Sequence, residues 1–314
     1  MAKATRQAFG EAIARLGEKY PEIVILDADL SKSTKSDIFA KKFPDRFFEM
    51  GIAEANMIGT AAGLAFVGKL PFLCSFGCFL TGRYDTIRIS AVYAQANIRL
   101  VGTHAGLGIG EDGHSQMGLE DITLMRALPT MGVFQPMDSK ETELIVEFLV
   151  KEWKGPAYLR LTRQTLQDLY PEGKVFEPCK LLSIRENKNP KVLLLGTGAG
   201  VSEAMGGAEI LSKQGISTCV WSAHALKPFD EKSLNSICHL FELVVTIEDH
   251  TVVGGLGTCV AEAFAKLNKH PPLLKLGVQD TFGESGTPAE LFRKHGFSAS
   301  EIAKNTQRFL NGSA

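Results

Sequence analysis

The sequence predicts an α/β protein of two domains, the first with a mostly parallel sheet and the second a smaller α/β domain. Two observations carry this. Short apolar strands alternate with amphipathic helices through most of the 314 residues, the pattern of helices laid on parallel sheets. The alternation lapses once, between residues 168 and 191, and then resumes. A chain of this length can form two separate cores.

In chain order, Phe9, Ile13 and Leu16 share one helical face, and Ile23-Val-Ile-Leu26 reads as a buried strand. A helix over 55–66, a strand over 71–73, a helix over 81–93 and a strand over 98–103 follow. A helix over 118–126, a strand over 130–134, a helix over 139–151 capped by Asp138, and a strand over 157–161 complete the first domain. The lapse, which includes Arg185-Glu-Asn-Lys-Asn-Pro190, is a linker by composition, and the boundary is expected near 186, giving domains 1–185 and 186–314. Strands at Val192-Leu-Leu-Leu195, Thr218-Cys-Val-Trp221, Leu243-Val-Val-Thr-Ile247 and Leu273-Leu-Lys-Leu276 build the second domain, with helices between them.

Composition narrows the function. Hydrophobic residues make 45% of the chain and charged residues 22%, a globular balance, and the formal net charge of -1 offers no field for nucleic acid or an anionic membrane. The six cysteines are scattered; Cys74 and Cys78 have no second Cys or His pair at zinc-site spacing, so free thiols in a reducing compartment are expected. The start of the chain lacks an apolar signal-peptide region, and no apolar run approaches the roughly 18 to 20 residues of a membrane span. A cytoplasmic location is the expectation.

Several residues could carry chemistry. Glu54 lies among Met50, Ile52, Ala53, Ala55 and Met57 at the start of a small-residue helix. An acid in apolar surroundings can share a proton with a ligand nitrogen near neutrality; on spacing alone, a solvent-facing acid favoured by the helix dipole is the commoner reading. Gly106, Gly108, Gly110 and Gly113 shape a loop after the strand 98–103, with His104 at its root and Asp112 at its turn. Parallel sheets bind ligands at that carboxyl edge, so both residues could bond a hydroxylated substrate. A metal site from Glu111, Asp112, His104 and His114 is the weaker alternative. Phe76 and Phe79, also after a strand, are either core or a flat apolar face for a ring. Arg163 at a strand end suits a sugar phosphate or is simply solvated, and Ser33 is an ordinary loop serine by itself. In the second domain, Gly196-Thr-Gly-Ala-Gly200 imitates a dinucleotide loop, but no Asp or Glu ends the following strand, and packing is the better account. Gly254-Gly-Leu-Gly257 is read the same way.

The run Arg46-Phe-Phe-Glu-Met-Gly-Ile-Ala-Glu-Ala-Asn-Met57 resembles the segment that carries the catalytic glutamate of transketolases, which are thiamine-diphosphate enzymes. Ser75-Phe76 with Phe79, Tyr84-Asp-Thr-Ile-Arg88, Thr103-His104, and Ile109-Gly-Glu-Asp-Gly113 with Ser115-Gln-Met117 follow in the family's order. The resemblance runs from about Asp27 to Gln164 and more weakly to Gly296. It implies a pyrimidine-binding domain followed by a transketolase C-terminal domain, and transfer of a two-carbon ketol unit from a ketose phosphate to an aldose phosphate. By the same resemblance Glu54 matches the residue that activates the cofactor through pyrimidine N1′, Phe76 and Phe79 border the pyrimidine, and Asp29 lies near the thiazolium. Ser33, His104 and Arg163 match residues that grip substrate phosphate, and Asp112 one that reads a sugar hydroxyl. Gln116 stands where some members carry a proton-transferring histidine, and His114 replaces a common proline.

The family's Gly-Asp-Gly motif and its downstream Asn, which hold the diphosphate through Mg²⁺, have no match; Gly110-Glu-Asp-Gly113 is the nearest, and no Asn occurs between Asn97 and Asn187. No metal ligands are therefore assigned to this chain. The resemblance is to the C-terminal subunit of a split transketolase, with Mg²⁺ and diphosphate on an N-terminal subunit and an α2β2 assembly. The β subunit of a 2-oxoacid dehydrogenase and half of a 1-deoxyxylulose-5-phosphate synthase are rival expectations, less well matched around residues 109–117. A non-catalytic assembly partner is a third, opposed by the joint presence of Glu54, Phe76, His104, Asp112 and Arg163.

Overall fold

The computed structural model describes residues 2–312. Its strands, numbered in chain order, begin with β1 (Lys3–Ala4), β2 (Ile23–Asp27), β3 (Phe47–Glu49), β4 (Leu70–Phe76), β5 (Arg99–Thr103), β6 (Gly132–Phe134) and β7 (Ala157–Arg160). They continue with β8 (Thr165–Leu166), β9 (Leu182–Arg185), β10 (Val192–Gly196), β11 (Thr218–Ser222), β12 (Ala225–Lys227), β13 (Leu243–Thr251) and β14 (Leu273–Val278). A seven-stranded sheet has the order β12-β6-β7-β5-β4-β2-β3 and a five-stranded one β14-β13-β10-β11-β9, both parallel except where β12 and β9 join as antiparallel edges, and β1 and β8 form a separate antiparallel pair.

The central parallel strands β2, β4, β5, β7 and β10 are buried along their whole length and largely apolar, because helices cover both faces. On the first sheet, Phe9 and Ile13 from helix Thr5–Leu16 pack with Ile145 and Leu149 from helix Ser139–Lys151 over Ile23, Ile25 and Phe72. Met57, Ile58 and Ala61 of helix Glu54–Phe66 cover the other face, and their apolar cluster continues into Leu193, Val244 and Val260 of the second domain. Register places Phe76 beside Thr103, and Asp27 ends the neighbouring strand β2. A row of loops thus leaves one carboxyl edge.

Some elements differ from expectation. The strand expected over 71–73 extends to Phe76, so that ring ends a strand instead of following one. The helix expected over 81–93 breaks at Gly82 and Arg83 into Gly77–Thr81, Tyr84–Thr86 and a π-helical Ile87–Tyr93; glycine is a poor helix former. Helix Asp121–Ala127 starts later than 118 because the carbonyl of Gly118 accepts from Gly106 N and from Arg160. Strand β6 starts at Gly132, since Thr130 has a left-handed φ of 62°. Strand β9 precedes the expected boundary near 186 yet hydrogen-bonds to β11 in the second sheet. Conversely, β12 follows that boundary and pairs with β6, Ala225 opposite Phe134 and Lys227 opposite Val133.

Candidate active site

The first loop of the carboxyl edge is built on Asp27. Its buried carboxylate accepts from Leu30 N, Thr34 Oγ1 and Ser36 Oγ at 2.7, 2.7 and 2.8 Å. Burial nevertheless pushes it up to about 6. The turn it organises carries exposed Asp29, at a left-handed φ of 61°, whose N–H donates to Glu49 Oε1, and half-buried Ser33.

Glu54 is the first residue of its helix and is only 5% exposed. Ser75 Oγ donates to its Oε1 at 3.0 Å. Next to Ser75, Phe76 stacks on Phe79 at 5.5 Å with 13° between planes, and on the His104 ring at 4.0 Å. His104 sits at the end of β5 with a φ of 57° and is 3% exposed. An arginine can only donate, so the 2.9 Å contact from Arg6 to His104 Nε2 fixes that nitrogen as acceptor. The proton lies on Nδ1, 2.9 Å from Thr103 Oγ1, whose hydroxyl donates onward to Ser75 O at 3.3 Å. Burial, reinforced by Arg6, Arg163 and Lys35, holds the imidazole neutral, at about 3.

Arg6 also donates to Ser33 O at 2.7 Å. Contacts thus run unbroken from Glu54 through Ser75, Thr103 and His104 to Arg6 and the Ser33 backbone. Arg163 stands close enough to Arg6 for its charge to act against that of Arg6, whose affinity for its proton is lowered first by burial and then by Arg163. Two guanidiniums and Lys35 around a neutral imidazole form a site for an anion. Arg163 donates to Ile109 O and lies 3.7 Å from Glu111 and 3.9 Å from Asp112.

The loop bearing Asp112 runs through two short 3-10 turns, Leu107–Asp112 and His114–Gln116, joined at Gly113 with φ 80°. Asp112 is exposed and Gln116 half-buried, its carbonyl 3.2 Å from Cys78 Sγ. His114 faces the second domain, its ring tilted 55° against Phe282 at 4.3 Å and accepting from Gly283 N. Asp249 at the end of β13 accepts from Leu107 N at 2.7 Å and Gly108 N at 3.1 Å.

The second domain's glycine loops are filled by the protein itself. A Cβ on Gly200 would lie 2.4 Å from Ile247 O, and one on Gly198 2.1 Å from Gln135. At the other loop, Leu256 N and Gly257 N donate to Glu248 at 2.7 and 2.9 Å, which uses the amides a phosphate would need.

Arg6 and Asp249 escape sequence reasoning, and Ser75 and Thr103 enter it only as motif neighbours of Phe76 and His104, without a role. Arg6 is brought to the edge by pairing of β1 with β8 and by Thr5, whose hydroxyl accepts from Thr162 N. No local pattern signals that. Among the described residues no group of three or more His, Cys, Asp or Glu side chains could hold a metal ion, and no helix is long and apolar enough to cross a membrane.

The transketolase pyrimidine-binding domain family matches residues 1–168, and the transketolase C-terminal domain family residues 183–302. A protein of Methanocaldococcus jannaschii named for a transketolase C-terminal section is 41% identical over 305 residues, covering 96% of this chain and 95% of that one. Human transketolase is 38% identical over 303 residues, 96% of this chain but 48% of its own length, so this chain spans about half of such a relative. A solved split-gene transketolase, an inactive β4 tetramer, superposes with a TM-score of 0.87 at 40% identity over 98% of both chains. Thiamine diphosphate is the cofactor that this family implies. A buried carboxylate beside a stacked aromatic pair is a fitting donor set for its aminopyrimidine. The chain belongs to the transketolase family, carrying its pyrimidine-binding and C-terminal domains in that order.

Proposed function

We propose that this chain is the C-terminal subunit of a two-chain transketolase that moves a two-carbon ketol unit from a ketose phosphate to an aldose phosphate. The observation that carries this reading is the row of contacts from Glu54 to Ser33, with a buried acid at one end and paired guanidiniums at the other. Bound thiamine diphosphate supplies the electron sink for breaking and making the bond beside a carbonyl.

This chain's own residues do the rest. Glu54, oriented by Ser75, holds a proton at pyrimidine N1′. Phe76 and Phe79 would give the ring an apolar face, and Asp29 would serve the thiazolium side, as the family resemblance implies. Arg6, Arg163, neutral His104 and Ser33 take the substrate phosphate, while Asp112 and Gln116 meet its hydroxyls. Mg²⁺ and the diphosphate are assigned to an N-terminal subunit in an α2β2 assembly. Support comes from exposed apolar side chains on and near helix Glu54–Phe66: Ile52 just before it is 85% exposed, Phe66 at its far end 62%, and Tyr93 of the helical segment Ile87–Tyr93 84%. The inactive β4 state of the split-gene relative also fits a subunit that needs a partner. Six unpaired cysteines support a cytoplasmic setting.

The test is turnover of xylulose 5-phosphate with ribose 5-phosphate. The isolated chain should be inactive and the reconstituted pair active. Glu54→Gln in that pair should lose about two to four decades in kcat. Unaltered turnover by this variant would remove Glu54 from the chemistry, and full activity of the isolated chain would end the two-subunit reading.

A further inference from the structure

We propose that Asp249, a residue of the second domain, is a positioning residue that holds the first domain's loop 106–116 in its sugar-reading conformation. The inference rests on the proposed meeting of that loop with substrate through Asp112 and Gln116.

Consecutive residues of a strand face opposite ways, and β13 uses this to serve two loops. Glu248 accepts from Leu256 N and Gly257 N in its own domain. Asp249 turns the other way and accepts from Leu107 N and Gly108 N, 142 and 141 residues earlier in the chain. The fit admits no side chain at the loop's root: Gly106 has a φ of 86°, and a Cβ there would lie 2.3 Å from Asp249 Oδ2. From this anchor the loop passes directly to Ile109, whose carbonyl Arg163 holds, and on to Asp112. The second domain holds the loop again farther along, where Gly283 N donates to His114.

A buried carboxylate is a costly way to fill space, so its placement calls for a role. Two adjacent amides aimed at one carboxylate fix the loop's direction more tightly than apolar contact could. The charged and titratable groups around Asp249 are Arg160 from β7, Asp121 from helix Asp121–Ala127, and Glu248 and His250 on its own strand. Arg160 donates to the backbone oxygen of Asp249 at 3.0 Å, leaving its carboxylate to the loop. Burial raises that carboxylate to about 6, so acidification through this range weakens its grip on the amides.

The experiment uses the enzyme reconstituted with its N-terminal subunit and compares Asp249→Asn, Asp112→Ala and the double variant. Asparagine keeps the shape but turns an amide NH2 toward one loop N–H. We expect the KM for the ketose phosphate to rise about tenfold in Asp249→Asn, with kcat within about threefold of the parent. Because Asp249 acts through the loop that carries Asp112, the losses in the double variant should be clearly less than additive. The acid-side rise in KM near pH 6 should flatten in Asp249→Asn. Amide exchange should quicken at Leu107 and Gly108 while Leu256 and Gly257 stay protected.

A normal KM in Asp249→Asn, beside a raised KM in Asp112→Ala, would overturn the positioning role and leave the substrate reading standing. Additive losses in the double variant, or loosened exchange throughout the second domain, would overturn it as well. A normal KM in Asp112→Ala would overturn the substrate reading and this inference together.

Discussion

The two sheets present the same device at their carboxyl edges and use it for opposite ends. Each has a glycine-rich loop after a buried parallel strand, and each loop offers consecutive amides to a carboxylate from β13. In the second domain the loop 254–257 closes on its own strand, and the separate loop 196–200 after β10 is filled as well, Gly198 and Gly200 leaving no space for a ligand. In the first, the amides at the loop's root are taken from outside, and the loop goes on to an exposed Asp112 beside Arg163, whose charge in turn acts on Arg6. Glycine spacing is therefore not what distinguishes a binding loop from a packing loop. The distinction lies in where the loop's polar groups are spent, and in whether unbalanced charge is left at the open edge.

That contrast can be broken at several points. The largest effect should come from Arg6→Ala, which removes a charge-assisted contact from the open edge. In the reconstituted enzyme the KM for a phosphorylated donor should rise about ten- to a hundredfold, corresponding to about 1.5–3 kcal/mol. An equal effect on an unphosphorylated donor would contradict the anion reading.

Gly200→Ala probes the second domain's other filled loop, 196–200. Its added methyl meets a backbone carbonyl 2.4 Å away, so unfolding in urea should show about 1–3 kcal/mol of lost stability, with the donor KM unchanged. A selective rise in KM would mean that the second loop takes part in binding after all.

The smallest effect concerns His104. Its folded value near 3 lies below the ordinary 6.5, so it gains no proton between pH 8 and 5 in the folded protein. Its carbon and nitrogen NMR shifts should stay flat over that range. The unfolded chain does take up the proton, so the stability His104 contributes is full above about 6.5 and declines as pH falls below it. A titration midpoint near 6.5 in the folded protein would contradict the assigned tautomer.

Much of the first domain was legible locally. Helix Ser139–Lys151 has the expected bounds, with Asp138 Oδ1 accepting from Glu141 N at 2.8 Å as its cap. Its apolar period and capping residue are contiguous in sequence, which is why pattern reading succeeds there. The edges were harder. Strands β9 and β12 have three or four residues each, and they exist because an open neighbour needs a hydrogen-bonding partner. That cause lies outside their own sequence.

The candidate site divides along the same line. Glu54, Phe76 and His104 announce themselves through motifs, and the structure brings Phe76 and His104 into contact. Ser75 and Thr103, which join Glu54 to His104, look like ordinary strand residues. Arg6 lies 98 residues from His104, and Asp249 lies 142 and 141 residues from the amides it holds. Side chains whose meaning comes from distant pairing leave no periodic trace.

Strand β12 limits how this protein can be divided or recombined. A fragment ending near residue 186 would lose the partner of β6 and expose a raw sheet border, which invites self-association. A foreign C-terminal domain grafted there would have to supply a short antiparallel strand in register with Val133 and Phe134. The two domains are thus poor interchangeable modules, and they are expected to be inherited, and to diversify, as a single piece.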